Sequence, residues 1–183
     1  WASGFDEVHR HPTADLAVGV LATPSPLPGY PLYTDSDELA REAALLGYGV
    51  SGTGAPMSEE YPRGRLRIGY NVVDSVTPSA LACDFDDPAL PGPQGSLGAD
   101  REAIQAAGDS GGALLIDQDG QWRLAGVHWA VIDANDDGIT GNYGDWGYAV
   151  RVSPHASWIA GVLDAFAVLP GDANRDGRVA DSD

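Results

Sequence analysis

The apolar residues of this chain come in short runs of at most nine residues, and glycine or proline interrupts every gap between them. Runs of that length match strands and are too short for long buried helices. Ala14–Leu21 alternates with a period of two, and Ala43–Val50, Leu66–Val73, Gly112–Ile116, Leu124–Ile132 and Gly147–Val152 read as further strands. Many short strands between turn-rich connections predict an all-β chain, an antiparallel barrel or sandwich. One segment pulls the other way: Asp37–Leu46 favours helix by composition, so propensity alone would misassign it. A single helix is predicted near the end, capped by Ser153, begun at Pro154, with Trp158, Ile159, Val162, Leu163 and Phe166 on one face. Leu169-Pro170-Gly171 breaks it, dividing the chain into a domain over 1–169 and an acidic tail over 170–183.

The 27 acidic residues outnumber the 10 lysines and arginines, for a net charge of −17. The resulting field repels phosphate backbones and anionic lipid, which argues against a nucleic-acid partner. No run approaches the ~18 apolar residues of a membrane span. Cys83 is the one cysteine, so an intrachain disulfide is excluded while export is not. The chain opens on Trp1 with no signal peptide, and is expected to be internal to a longer, secreted or extracellular precursor.

Gly108-Asp-Ser-Gly-Gly-Ala113 carries the most chemistry. A nucleophilic serine needs a sharply turned backbone whose N–H groups meet a developing oxyanion, and glycines on both sides of Ser110 permit that turn. The competing reading is a plain glycine-rich β-turn. Four further segments follow in order: Val8-His-Arg-His-Pro12 leading to Asp15-Leu-Ala-Val, Leu46-Gly-Tyr-Gly-Val-Ser-Gly52, Gly126-Val-His-Trp129, and Gly147-Tyr-Ala-Val-Arg-Val152 leading to Trp158-Ile159. With these in sequence, the chain resembles the trypsin/chymotrypsin family of serine proteases from about residue 8 to 167. The resemblance implies a double six-stranded antiparallel β-barrel, its N-terminal barrel incomplete in this chain, with a C-terminal α-helix. It implies Ser110 as nucleophile, Asp15 as the acid that orients an imidazole, and the N–H groups of Gly108 and Ser110 as the oxyanion hole. Asp109 would be the acid that pairs with a freshly cut α-amino group.

The family order is His, Asp, Ser, with the histidine about 45 residues before the aspartate, and only 14 residues precede Asp15. His11 matches a non-catalytic His-Pro position, His128 reads as a structural histidine beside the triad, and His155 as a surface residue. The base is therefore expected from a part of the same precursor outside this chain, or the protein is a degenerate homologue. By position, Ile104 forms the floor of the specificity pocket, with His128, Trp129, Ala130 and Gly147 around it. An apolar floor offers no partner to a basic side chain, which implies a small or medium apolar residue before the cut. Ala106 stands where the family commonly has a cysteine.

Two loops have the spacing a hard cation needs, oxygens at positions 1, 3 and 5, glycine at 6 and a carbonyl at 7. In the tail these are Asp172, Asn174, Asp176, Gly177 and Arg178, closed by Asp183 at position 12, and the loop resembles the first calcium loop of a type I dockerin. The second is Asp133, Asn135, Asp137, Gly138 and Ile139, where position 12 is Gly144 and Asp145 falls one residue late. Calcium is the cofactor expected, structural only, with none in the chemistry. A solvated acidic segment is the competing reading for both. The sequence thus points to a serine endopeptidase acting on polypeptides through an acyl-enzyme, with a cohesin-like module as a further partner of the tail. The alternatives are a catalytically inactive protease-like binding module carried on the dockerin-type segment, and a calcium-dependent structural protein.

Overall fold

The computed structural model describes residues 5–23, 25–54, 63–89, 97 and 101–166. Nine strands follow one another: β1 Phe5–Arg10, β2 Ala17–Leu21, β3 Glu42–Gly47, β4 Arg67–Val72, β5 Ser75–Val76, β6 Ala80–Asp84, β7 Ala113–Gln118, β8 Gln121–Ile132 and β9 Trp146–Arg151. A 3₁₀ turn at Ser153–His155 then leads into helix α1, Ala156–Ala165. β1 and β2 form a two-stranded antiparallel hairpin, and the other seven make one sheet in the order β4-β3-β7-β8-β9-β6-β5. All its pairings are antiparallel, and it curls into a half-barrel. The chain is mostly β with one short C-terminal helix. No helix among the described residues is long and apolar enough to cross a membrane.

β3 shows why composition misleads at 37–46. It is hydrogen-bonded on both edges, to β4 and to β7, and Ala43, Ala44 and Leu45 are buried there. A central strand satisfies more backbone and buries more apolar surface than an isolated helix over the same residues. Ala43 and Leu45 share the first core cluster with Tyr33, Val73, Leu81, Leu114 and Ile116. Cys83 belongs to the same cluster, and burial pushes its thiol well above the ordinary range.

A second cluster lies outside the sheet. Leu16, Val150, Val152 and Ile159 are buried together, with Ala14, Val18, Val127 and Trp158 packed against them, so the hairpin and α1 both rest on β8 and β9. Of the apolar helix face, only Ile159 is buried; Leu163 and Phe166 are exposed. Ser153 does not cap the helix. Its hydroxyl donates to Glu38 Oε1 at 2.7 Å, and Arg151 donates to the same carboxylate through Nε at 2.9 Å and Nη2 at 2.7 Å.

Glu38 is fully buried, and this three-donor site ties the segment before β3 to the end of β9. Burial pushes its carboxyl up, but the Arg151 and Ser153 hydrogen bonds outweigh that and hold it below the ordinary carboxylate range. The stability it contributes is thus present at neutral pH and lost as pH falls through the lowered value. Glu38→Gln leaves Arg151 without its counter-charge and is expected to cost about 3 kcal/mol in urea unfolding at neutral pH, as when one partner leaves a buried ion pair. The deficit should shrink at acid pH.

Candidate active site

The turn that leads into β7 is built by its own backbone. Asp109 N donates to Ala106 O at 3.0 Å and Gly112 N to Asp109 O at 2.7 Å, while Gly111 N donates to His128 O at 2.9 Å and His128 N returns to Gly112 O at 2.8 Å. Gly108 sits at φ +95°, which side-chain-bearing residues avoid. The Asp109 carboxylate then pins the turn: Gly49 N donates to Oδ1 at 2.7 Å and Ala106 N to Oδ2 at 2.8 Å. A Cβ on Gly47 would overlap that carboxylate, so the glycine at the end of β3 is what admits it.

These bonds use the N–H groups of 109, 111 and 112. Among the described residues, those of Gly108 and Ser110 donate to nothing, and nor does the Ser110 hydroxyl. Both residues are exposed. The turn thus carries an exposed serine and two uncommitted N–H donors, at 108 and 110.

Ser110 lines a cavity of about 210 Å³ together with Ala106, Ala107, His128, Trp129, Ala130 and Val131. Gln105, which sequence reasoning passed over, lines it too; its amide donates to Ala130 O at 3.1 Å and Tyr148 O at 2.9 Å, bridging β8 and β9 beside the bulge between His128 and Ala130. Its position is legible afterwards: a buried amide is suited to bridging two strands whose ladder slips by one residue. Ile104 lies elsewhere, lining a larger cavity of about 460 Å³ on the Asp109 side, and a Cβ on Gly147 would meet Ile104 Cγ1 at 2.8 Å. Gly147 is buried beneath Ile104 and Gln105.

His128 borders both cavities and is 3% exposed, and neither ring nitrogen closes a hydrogen bond. Burial disfavours its charged form; the Asp109 charge and the Ala113 carbonyl oppose this less strongly, and its pKa falls to about 4. Asp15 lies in the turn between β1 and β2 and not in a strand; its side chain is exposed, while Ala14 and Leu16 on either side pack into the second cluster. His155, expected at the surface, instead packs its ring against that of His11, centroids 4.5 Å apart.

In the loop after β8, Asp133 accepts from Asp137 N at 3.2 Å and Gly138 N at 2.8 Å, Asn135 accepts from Asp137 N at 3.0 Å, and Asp137 accepts from Ile139 N at 2.8 Å. Asp145 is fully buried and takes N–H groups from Ala134, Gly141 and Asn142, so it closes the loop through hydrogen bonds. Asn142 Nδ2 also donates to Asp137 Oδ2 at 2.6 Å. The tail ligands Asp172, Asn174, Asp176, Arg178 and Asp183 lie outside the described residues. Asp84, Asp86 and Glu102 bring carboxylate oxygens within 4.8 Å of one another, a grouping the sequence did not suggest. Burial first, and then Asp74, push the Asp84 carboxyl up to about 6.

No protein-family model matches the chain, and no curated protein matches it.

A histidine whose folded pKa lies below its unfolded value gives stability above about pH 6.5 that is lost as pH falls towards 4. His128→Leu removes that dependence. Between pH 7 and 4 the wild-type chain should lose on the order of 3 kcal/mol more than the variant in urea unfolding.

Proposed function

We propose that this chain carries the nucleophile half of a trypsin-like serine endopeptidase, with a double-barrel architecture completed by strands outside it. The reading rests on one observation above the others: exposed Ser110 lines a cavity on a turn whose N–H groups at Gly108 and Ser110 are uncommitted. Ser110 attacks the peptide carbonyl, an acyl-enzyme forms as the amine leaves, and water releases the acid. The two N–H groups take the oxyanion, whose charge they stabilise more than the neutral carbonyl. Asp15 orients the imidazole that removes the Ser110 proton.

In this reading that imidazole comes from outside residues 1–183, with His9 as the lesser candidate within them. His128 holds a proton too weakly, with a pKa of about 4, to serve as base near neutral pH, where an effective base has a pKa close to the working pH. His11 spends its Nδ1 on two backbone N–H groups, and His155 lies against it.

The cavity's size and its wall of Ala106, Ala107, Ala130 and Val131 favour a small or medium apolar side chain before the cut. His128 supports a second profile, a side chain with an acceptor oxygen, because it is a buried wall group whose ring nitrogens have no hydrogen-bond partner. Secretion, a polypeptide substrate and a cohesin-like partner for the tail belong to the same proposal. The intact protein, with its upstream strands, should be labelled by a fluorophosphonate on Ser110, and Ser110→Ala should abolish both labelling and peptide hydrolysis. Intact protein that resists the reagent would be a protease-like binding module instead.

Calcium is proposed as a structural brace. The loop residues fit once the side-chain amides of Asn135 and Asn142 turn their oxygens inward, when Asp133, Asn135, Asp137 and the Ile139 carbonyl would hold the ion. Calcium at ~100 times its dissociation constant should then add about 2.7 kcal/mol of stability, read as a rise of several degrees in Tm. Asp137→Asn should remove most of that rise.

A further inference from the structure

Three of the four histidines lie where the β1–β2 hairpin rests on the C-terminal segment, and two of them, His11 and His155, touch. His9 lies against Phe166, ring centroids 5.1 Å apart, and His11 stands edge-on to both His155 at 4.5 Å and Trp158 at 4.8 Å. The aromatic edges fix the plane of the His11 ring, and its nitrogen then does local work. Nδ1 accepts the N–H of Thr13 at 3.2 Å and of Ala14 at 3.0 Å. The His11 backbone N–H crosses the turn to Leu16 O at 2.8 Å, and Leu16 N returns to Ala14 O at 2.8 Å. Three of these four bonds, all but the one from Thr13, end next to Asp15 or span it. The carboxylate itself is exposed, so its direction is inherited from this small network.

We infer that His11 is the positioning residue for Asp15, and that a proton on its Nδ1 releases the turn that aims the acid. This rests on the reading of Asp15 as the triad carboxylate. The physical reason is exclusive: a ring nitrogen accepts through one lone pair, and protonation there sets an N–H against two backbone N–H groups. The groups facing the ring are His155 from the 3₁₀ turn and the neutral Trp158 from α1; Arg10 and Asp15 flank the segment, and His9 beside Glu7 lies on β1. His155 is held below the ordinary histidine range, by burial first and then by His11.

Asparagine supplies the test, because its side-chain oxygen reaches the place of Nδ1 and accepts without titrating over this range. In the intact protein at about pH 7.5, His11→Asn should keep at least about half of the wild-type kcat/KM, while His11→Phe, with a ring but no acceptor, should lose roughly tenfold in kcat at similar KM. On the acid side, both limbs should run at a slope near ~1, with the wild type falling through an extra step of about one log unit in kcat/KM that His11→Asn lacks. Amide hydrogen exchange at Thr13 and Ala14 should speed up at least about tenfold beyond the intrinsic change on acidification of the wild type, and not in His11→Asn. Exchange indifferent to pH, or an identical acid limb in His11→Asn, would overturn the inference even with Asp15→Asn inactive. An Asp15→Asn variant of full activity would instead remove the reading of Asp15, and the inference with it.

Discussion

The Asp109 carboxylate is the constraint on which the site depends. It takes one N–H from the end of the β3 segment, at Gly49, and one from the start of its own turn, at Ala106. With both oxygens engaged, the turn cannot swing away from β3 without stranding a partly buried charge, which is far more costly than losing an ordinary turn bond. The backbone bonds at 109, 111 and 112 follow from that fixture, and the freedom of the N–H groups at 108 and 110 follows from those bonds. In the proposed chemistry no reorganisation is then left for the moment of reaction.

The same design recurs on the opposite flank. Glu38, buried under Arg151 and Ser153, ties the approach to β3 to the exit of β9. The second apolar cluster seats the hairpin and the helix on β8 and β9. Strands that carry the serine turn and the cavity wall are thereby held, while Asp15 sits on a lighter support, a turn closed around an imidazole.

Legibility in the sequence followed the range of the interaction. Strands that alternate or run apolar were readable to within a few residues, β4 at Arg67–Val72 against an expected Leu66–Val73 among them. β1, β5 and β6 were missed, because Phe5–Arg10 is mostly exposed, Ser75–Val76 is too short to show a period and Ala80–Asp84 gains its burial from pairing with β9. Ser153 looked like a cap and became a ligand of Glu38, 115 residues away in sequence. At the site, Ser110 and Asp109 were legible because a short motif carries its own turn geometry. Gln105 was not, since its partners lie 25 and 43 residues away. Asp15 was expected in a strand and lies in a turn, because bonds that bend the chain there go to a side chain, His11, that no periodicity reports.

The most direct measurement is a crystal structure of the intact protein after reaction with a small fluorophosphonate. The account requires the phosphorus on Ser110 Oγ, one phosphonyl oxygen about 2.7–3.1 Å from both Gly108 N and Ser110 N, and Asp15 hydrogen-bonded to the imidazole that faces the adduct. An adduct on another residue, or one on Ser110 whose oxygen points away from those two N–H groups, would contradict it.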